Sequence, residues 1–312
     1  MSFPSLASLL LCSFAVILLA GCENREREIA DLGTSLKNDV TFLASDELEG
    51  RKIGTAGEEK AAAYIADRFE KTGLDPIGTN NFYQQFEVTP SQNPHEMPKV
   101  GEGGDSLTIV GRNVVGIIDN PGDEIIIIGA HYDHLGYGGF NSLHRGDSLV
   151  HNGADDNASG VAVMIQLAEL LKNEEIKKDL IFIAFSGEEE GLWGSNYFSK
   201  NPTVDLSKAT AMINLDMVGK LDEQKSLAIH GTGTSPSWEG ILNRANVDSI
   251  NLMFRESGVG PSDHTSFYLQ DIPVVHFFTG QHEDYHKPGD DAEKLNYDGM
   301  VKISAMISRI VG

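Results

Sequence analysis

Apolar residues recur along this chain at two different spacings, and each spacing predicts a different kind of element. Residues 36–44 and 58–73 follow a helical period, and the second segment ends at Gly73, a typical helix C-terminus. Residues 50–57 (GRKIGTAG), between these helices, have the glycine content of a loop. Residues 82–88 (FYQQFEV) alternate between apolar and polar side chains, which predicts a half-buried strand.

Uninterrupted apolar runs follow, and they are typical of strands covered on both faces of a sheet. The clearest are EIIIIGAHYD (124–133) and DLIFIAFSG (179–187). Strands that alternate with helices predict a three-layer α/β/α sandwich with a mostly parallel mixed central sheet, formed by residues 34–312 as a single domain. The other strands are predicted in 106–119, 209–217, 226–231 and 273–280, and the other helices in 161–172, 192–201, 236–245, 263–270 and 298–311.

The composition agrees with a folded domain, because 40% of the 312 residues are hydrophobic. The formal net charge is −22, from 46 acidic and 24 basic residues. This charge excludes nucleic acid as a partner and suits metal cations or cationic substrates, although much of the excess acid is expected on the solvated surface.

The first 22 residues form an apolar run that is short for a transmembrane helix and typical of a secretory signal peptide. Its end, Leu19 to Cys22, resembles the lipobox of bacterial lipoproteins, so we expect Cys22 to be lipidated. Residues 23–33 then form a tether, and the protein is exported and lipid-anchored to a bacterial membrane, facing the periplasm or the cell exterior. An uncleaved anchor or a plain signal peptide is the alternative, because no Lys or Arg precedes the apolar run.

Cysteine usage limits the possible cofactors and cross-links. Cys12 lies inside the predicted signal peptide, and Cys22 is the other cysteine. The mature chain is therefore expected to have neither a disulfide nor a cysteine-ligated zinc site.

Several predicted strands end in residues that a hydrophobic core does not require. In open α/β sheets the functional site lies beyond the carboxyl ends of the strands, so these side chains are expected to converge in one crevice. A further acidic pair, Asp155 and Asp156, comes just before a predicted helix. The residues at the strand ends are His131, Asp133, Glu188, Glu189, Glu190, Asp216 and His286.

Two histidines and three carboxylates, without cysteine, suit zinc, cobalt or manganese at a reactive site better than a structural zinc. If one carboxylate bridges two ions, five residues give three protein contacts to each ion and leave an open position for a shared water. Two such ions can polarise a carbonyl and generate a nucleophile at neutral pH. The pattern therefore favours hydrolysis.

Six motifs resemble those of the M28 family of di-zinc exopeptidases, in its aminopeptidase-type form. They occur in the family's order, and the resemblance extends from about Leu36 to the end of the chain. They are HYD (131–133), GADDNASG (153–160), SGEEEGLWGS (186–195), INLDM (213–217), SDHTSF (262–267) and YHKPGDD (285–291).

This resemblance implies two divalent metal ions, most suitably zinc, and it assigns protein ligands to each ion. It implies that His131 and Asp216 bind one ion, that Glu189 and His286 bind the other, and that Asp156 bridges both. Asp155 or Asn157 is left to cap the following helix. The histidine-containing loop 134–151 is interpreted as a rim without a ligand.

The resemblance also implies the catalytic groups. Glu188 is the general base, and the Tyr285 hydroxyl stabilises the oxyanion. Asp133 is expected to orient the His131 imidazole, because side chains two residues apart on a strand share a face. Asp263 and His264 match a stretch that lines the family's substrate pocket.

The predicted function is that of a metal-dependent aminopeptidase, which hydrolyses amino-terminal residues from peptides by a metal-bound hydroxide. Three alternatives stay open at this point. The first is a glutaminyl cyclase-like transferase with one zinc. The second is a carboxypeptidase or dipeptidase, which requires a basic residue to bind a free carboxylate, with Arg51, Arg145 and Arg255 as candidates. The third is a non-catalytic binding protein on the same fold.

Overall fold

The structure, a computed structural model, describes residues 31–89, 98–101, 108–221 and 226–312. The predicted signal peptide, Cys22 and residues 23–30 of the predicted tether lie outside the described residues. Residues 31–33 belong to a helix that runs to residue 43, so this part of the predicted tether is helical. Within the described residues, no helix combines the length and apolar character needed to cross a membrane.

The described strands form one ten-stranded sheet. The strands are β1 (Asp75–Pro76), β2 (Tyr83–Thr89), β3 (Lys99–Val100), β4 (Ile109–Ile118), β5 (Ile125–His131), β6 (Asp179–Phe185), β7 (Ala209–Leu215), β8 (Ser226–His230), β9 (Asn251–Arg255) and β10 (Val274–Phe278). Their order in the sheet is β3-β2-β4-β6-β5-β7-β10-β8-β9, with β1 paired to β4.

The centre of the sheet is parallel and its flanks are mixed. Strands β6, β5, β7 and β10 are parallel neighbours, whereas β4 is antiparallel to β6 and β8 is antiparallel to β10. The predicted mixed sheet is therefore confirmed, and its parallel part is the part that carries the candidate residues. The sequence did not predict β9, because this edge strand alternates between exposed and half-buried positions and ends in Arg255.

Helices cover both faces of the sheet, as the three-layer prediction requires. They are α1 (31–43), α2 (Ala56–Thr72), α3 (Gly160–Leu171), α4 (Trp193–Lys200), α5 (Trp238–Ala245), α6 (His264–Tyr268) and α7 (Tyr297–Val311). Helices α1, α2, α3, α5 and α7 pack into the larger core with Ile126 and Ile128, while α4 and α6 pack into a second core with Ile125 and Ile127. Alternate residues of β5 thus support opposite layers.

A close approach of α3 to the end of β7 fixes the position of the segment that carries Asp156. A Cβ atom on Gly160 would lie 2.5 Å from the Leu215 carbonyl oxygen, so a glycine is required here. The Asn157 side chain accepts a hydrogen bond from the Gly160 N–H (3.0 Å) and donates one to the Leu215 carbonyl (2.9 Å). Asn157 therefore provides the cap that the sequence left open between Asp155 and Asn157.

Candidate metal centre

The carboxyl ends of the parallel strands deliver the predicted site residues to one cavity. His131 is the last residue of β5, Glu188 and Glu189 follow β6, and Asp216 follows β7. Asp156 comes from the segment before α3, and the turn after β10 carries the remaining two residues. All five predicted metal ligands and both predicted catalytic residues line this cavity, namely His131, Asp156, Glu188, Glu189, Asp216, Tyr285 and His286.

Asp156 lies between two histidines, one facing each of its oxygens. Its Oδ1 is 3.4 Å from His131 Nε2, and its Oδ2 is 3.2 Å from His286 Nε2. Burial opposes the ionised form, but hydrogen bonds with the two imidazoles outweigh it and hold the pKa of Asp156 well below its usual value. An ionised carboxylate that offers one oxygen to each side has the arrangement of a bridging ligand.

A first group of ligand atoms surrounds His131. Its Nε2 is 3.5 Å from Asp216 Oδ1 and 4.0 Å from Glu188 Oε2. One ligand atom from each of these three residues lies within 4.8 Å of the other two, which is close enough for all three to bind a single metal ion. These residues line the same cavity, so this group fits one ion bound by His131, Asp216 and one oxygen of Asp156.

A second group surrounds Glu189, whose Oε2 is 3.2 Å from His286 Nε2. His134, in the loop that the sequence interpreted as a rim, also enters this group, with Nδ1 2.6 Å from Glu189 Oε1. His134 is fully buried, and its Nε2 makes no hydrogen bond among the described residues. His134 is thus a second candidate imidazole beside the predicted ligand His286. The sequence offered no signal that distinguished it from the other histidines of the loop.

The electrostatic environment of the second group favours a cation. Burial lowers the pKa of the His286 imidazole, but hydrogen bonds with Asp156 and Glu189 outweigh this and raise it to about 10. The imidazole therefore takes up a positive charge among these carboxylates. A divalent ion would satisfy the same carboxylates in place of that proton.

Asp133 lies behind His131 and beneath the two glutamates. The His131 Nδ1 atom is 3.3 Å from the Asp133 backbone oxygen and 3.8 Å from its carboxylate. The carboxylate accepts hydrogen bonds from the backbone N–H groups of Glu188 (3.1 Å) and Glu189 (3.4 Å). Asp133 therefore holds the glutamate turn directly, and its backbone, rather than its carboxylate, is the nearer partner of the imidazole.

Glu188 has the environment of a general base. Burial raises the pKa of its carboxyl well above the usual value, and the carboxylates of Asp216 and Asp263 raise it further against the opposing influence of His131. A raised pKa lets a carboxylate both accept a proton and release it near neutral pH. Its side chain is 10% exposed, at the cavity wall.

Tyr285 lies against the second group, and its ring stacks on His286 with 3.9 Å between centroids. Burial and the carboxylates of Asp156 and Glu189 raise the pKa of its hydroxyl. The hydroxyl therefore stays protonated and can donate a hydrogen bond into the cavity.

A sequence model of peptidase family M28 matches residues 113–311. The chain belongs to peptidase family M28. Aminopeptidase YwaD of Bacillus subtilis is 28% identical over 266 residues, which cover 74% of this chain and 55% of that protein. A probable zinc metalloprotease of Pyrenophora tritici-repentis is 41% identical over 193 residues, 61% of this chain and 41% of that protein. The chain thus spans about half the length of these relatives.

Solved structures confirm the zinc-exopeptidase fold. A Zn-dependent exopeptidase from Parabacteroides distasonis superposes with a TM-score of 0.70 at 17% identity, covering 89% of this chain and 97% of that one. BSAP, a zinc aminopeptidase from Bacillus subtilis, gives a TM-score of 0.67 at 19% identity, covering 89% and 94%. At these identities the likeness establishes the fold, and the predicted resemblance to M28 is confirmed by the family match.

In this M28 chain, the loop 134–151 contacts two candidate ligands of the second group, Glu189 and His286. The Asn141 side chain donates to the Glu189 backbone oxygen (2.6 Å), and the Asn141 backbone oxygen lies 2.8 Å from His286 Nδ1. A carbonyl acceptor places the proton of the neutral imidazole on Nδ1, which leaves Nε2 free for a metal. The sequence did not point to Asn141, because the backbone carbonyl that contacts His286 is common to all residues.

Arg51 supports the same region from inside the protein, although M28 resemblance did not point to it. Its guanidinium is buried and donates to the backbone oxygens of Tyr132 (2.7 Å), Asn152 (2.7 Å) and Gly153 (3.0 Å). It therefore connects the end of β5 to the segment before Asp156, and it places a positive charge beneath the acidic cavity. Arg51 is not available to bind a substrate carboxylate.

The residues that line the rest of the cavity form a wall that is uncharged. Burial lowers the pKa of His276 to about 3, so its imidazole is neutral. Asp263 and His264, which the resemblance assigned to the substrate pocket, lie buried behind this wall, with 4.6 Å between the ring centroids of His264 and His276. The wall consists of Met217, His230, Pro261, His276, Phe278 and Gln281.

Proposed function

We propose that this chain is a zinc-dependent aminopeptidase that binds two zinc ions and hydrolyses amino-terminal residues from peptides. The observation that carries the proposal is the position of Asp156, which offers one oxygen to each of two imidazole-containing groups. The donor set of histidine and carboxylate, without cysteine, is the set expected for reactive rather than structural zinc. The names of the relatives and fold neighbours, which include an aminopeptidase, a probable zinc metalloprotease and a zinc aminopeptidase, support the same activity.

Each residue then has a defined task in hydrolysis. Bound zinc would supply Lewis acidity toward the scissile carbonyl and toward water. Glu188 would accept the proton from the attacking water and pass it to the departing amine. The Tyr285 hydroxyl would donate a hydrogen bond to the carbonyl oxygen as negative charge develops there. Asp133, through the backbone of the glutamate turn, would hold Glu188 in place.

The cavity favours an aminopeptidase over the other M28 activities. Among the described residues, no Arg or Lys lines the cavity, so a free substrate carboxylate would lack a partner, whereas the carboxylates of the cavity suit an ammonium group. Both ligand groups are complete, which does not favour the one-zinc cyclase. Glu188, the proposed general base, lies beside the ligands, which argues against a non-catalytic binding protein. The uncharged wall indicates that the first side chain of the substrate is uncharged.

We expect the zinc-loaded protein to hydrolyse leucyl-p-nitroanilide and to release little product from the lysyl and glutamyl analogues. Removing metal with a chelator should abolish this activity, and zinc should restore it in a titration that ends near two ions per chain. N-acetyl-leucyl-p-nitroanilide is the matched control, because it lacks the ammonium group. Equal hydrolysis of the acetylated substrate would contradict the aminopeptidase assignment, and pyroglutamate formation from glutaminyl peptides would favour the cyclase.

We also propose that the protein is exported and anchored by a lipid on Cys22. The proposal is supported by the apolar run of residues 1–22 and by its lipobox-like end. In a bacterial host, the full chain should incorporate radiolabelled palmitate and partition into the membrane fraction. Cys22→Ser should lose the label, whereas Cys12→Ser should keep it. Labelling that persists in the Cys22→Ser variant would refute lipidation at this residue.

A further inference from the structure

A second cluster of buried polar groups lies behind Asp156, outside the proposed ligand set. His282 Nε2 is 3.3 Å from Asp155 Oδ2 and 3.9 Å from Asp290 Oδ1. Asp155 and Asp290 are fully buried, and the His282 side chain is 14% exposed. Each of these three facing atoms is buried without a hydrogen-bond partner among the described residues, and the other two are the polar atoms that face it. They therefore depend on one another.

The remaining atoms of the two carboxylates hold the backbone of the metal centre. Asp290 Oδ2 accepts hydrogen bonds from the N–H groups of Asp155 (2.9 Å) and Asp156 (3.0 Å), and the Asp290 backbone oxygen accepts one from Ala154 (3.0 Å). Asp155 Oδ1 accepts from the Gly219 N–H (2.7 Å), in the segment that follows Asp216. The cluster is thus bonded to the segments that carry the bridging ligand and one terminal ligand.

His282 connects this cluster to the third segment, the turn that carries Tyr285 and His286. The N–H of Asp284 points to His282 Nδ1 at 3.3 Å, and the N–H of Tyr285 donates to the His282 backbone oxygen at 3.1 Å. Because Nδ1 accepts, the ring proton lies on Nε2 and faces the Asp155 carboxylate. His282 therefore joins the turn to the rest of the centre from both its ring and its backbone.

We infer that His282, held between Asp155 and Asp290, is a positioning residue that sets the Tyr285–His286 turn against the bridging carboxylate Asp156. Its ring does not line the cavity, so it acts through the residues that do. Without it, the turn loses the contact of the His282 ring with Asp155, and Asp290, which follows the turn, keeps its bonds to the backbone of Asp155 and Asp156. One terminal ligand and the oxyanion donor then shift together, while the ligands on β5 and β7 keep their places.

The first test is a zinc titration of the metal-free protein by calorimetry. In His282→Leu, we expect one of the two zinc ions to bind about 10- to 100-fold more weakly, as for other groups that orient metal ligands, and the other to bind as in the wild type. His282→Gln should recover most of the affinity, because its amide nitrogen can reach the position of Nε2. His144→Leu, in the rim loop, is the matched control and should bind both ions normally.

Wild-type affinity for both ions in a folded His282→Leu protein would overturn the inference, even if its melting temperature fell. If His282→Leu does not fold, Asp155→Asn tests the same contact from the other side and should weaken one zinc ion. Two zinc ions bound at wild-type affinity by Asp155→Asn would equally overturn it.

The second test is kinetic and rests on the proposed aminopeptidase function. His282→Leu, saturated with zinc, should lower kcat by about 10- to 100-fold, the effect of a small misplacement of a catalytic group, with KM changed little. Added to Tyr285→Phe, it should cause little further loss, because both act through the same hydroxyl. If the double variant instead lost kcat by the product of the two separate losses, His282 would not act through Tyr285. An inactive wild type that binds two zinc ions would refute the proposed function and leave the titration as the test of His282.

Discussion

Glu188→Gln should lower kcat by about 10²- to 10⁴-fold, the usual contribution of a general base, while two zinc ions remain bound. The amide has the shape of the carboxylate but cannot accept a proton from water. The backbone N–H of residue 188 still donates its hydrogen bond to the Asp133 carboxylate (3.1 Å), so the glutamate turn should not move. The measurement is kcat on leucyl-p-nitroanilide beside a zinc titration of the same protein.

Glu190→Gln is the matched control for this prediction. Glu190 follows in the same acidic run, but its side chain is in contact with Lys52 and does not line the cavity. It should keep wild-type activity. Full activity in Glu188→Gln would refute the proposed mechanism. Loss of a zinc ion would instead identify Glu188 as a ligand beside His131 and Asp216, the grouping that its 4.0 Å distance to His131 also permits.

Asp156→Asn should have the largest effect on metal binding, because the residue faces both ligand groups. An amide offers one oxygen, without charge, so it cannot serve two cations as a bridging carboxylate does. We expect activity to fall below detection and at least one zinc ion to be lost at micromolar concentrations. Zinc at about 100 times its Kd stabilises a protein by about 2.7 kcal/mol, so the rise in melting temperature that zinc produces in the wild type should shrink in the variant.

The measurement for Asp156→Asn is thermal unfolding with and without zinc, together with a metal count. Asp147→Asn is the matched control, since Asp147 is exposed in the rim loop. It should show the wild-type zinc-dependent shift. An Asp156→Asn protein that still binds two ions and keeps the full shift would show that Asp156 does not bridge.

The apolar runs and the residues that follow them predicted most of the fold and a set of polar residues at the strand ends, and the resemblance to M28 then selected the candidate ligands. Buried parallel strands have a strong hydrophobic signal, and β5 and β6 lead directly into His131 and Glu188. The edge strand β9 was missed because half of its surface faces solvent and its pattern is weak. The role of the loop 134–151 was underestimated, because its contacts to Glu189 and His286 involve backbone atoms and a buried His134.

The sequence by itself determined which strands end in candidate metal-binding residues, because hydrophobic period and residue type are local properties. Only the tertiary structure decided that Asp156 faces two histidines, that Arg51 is buried beneath them, and that His282 joins Asp155 to the Tyr285 turn. Apart from the contact between His131 and Asp156, these contacts connect residues more than 100 positions apart, and those of Arg51 end on backbone atoms that every residue possesses. Which of these contacts form is therefore decided by the packing of the strands and loops rather than by any sequence motif.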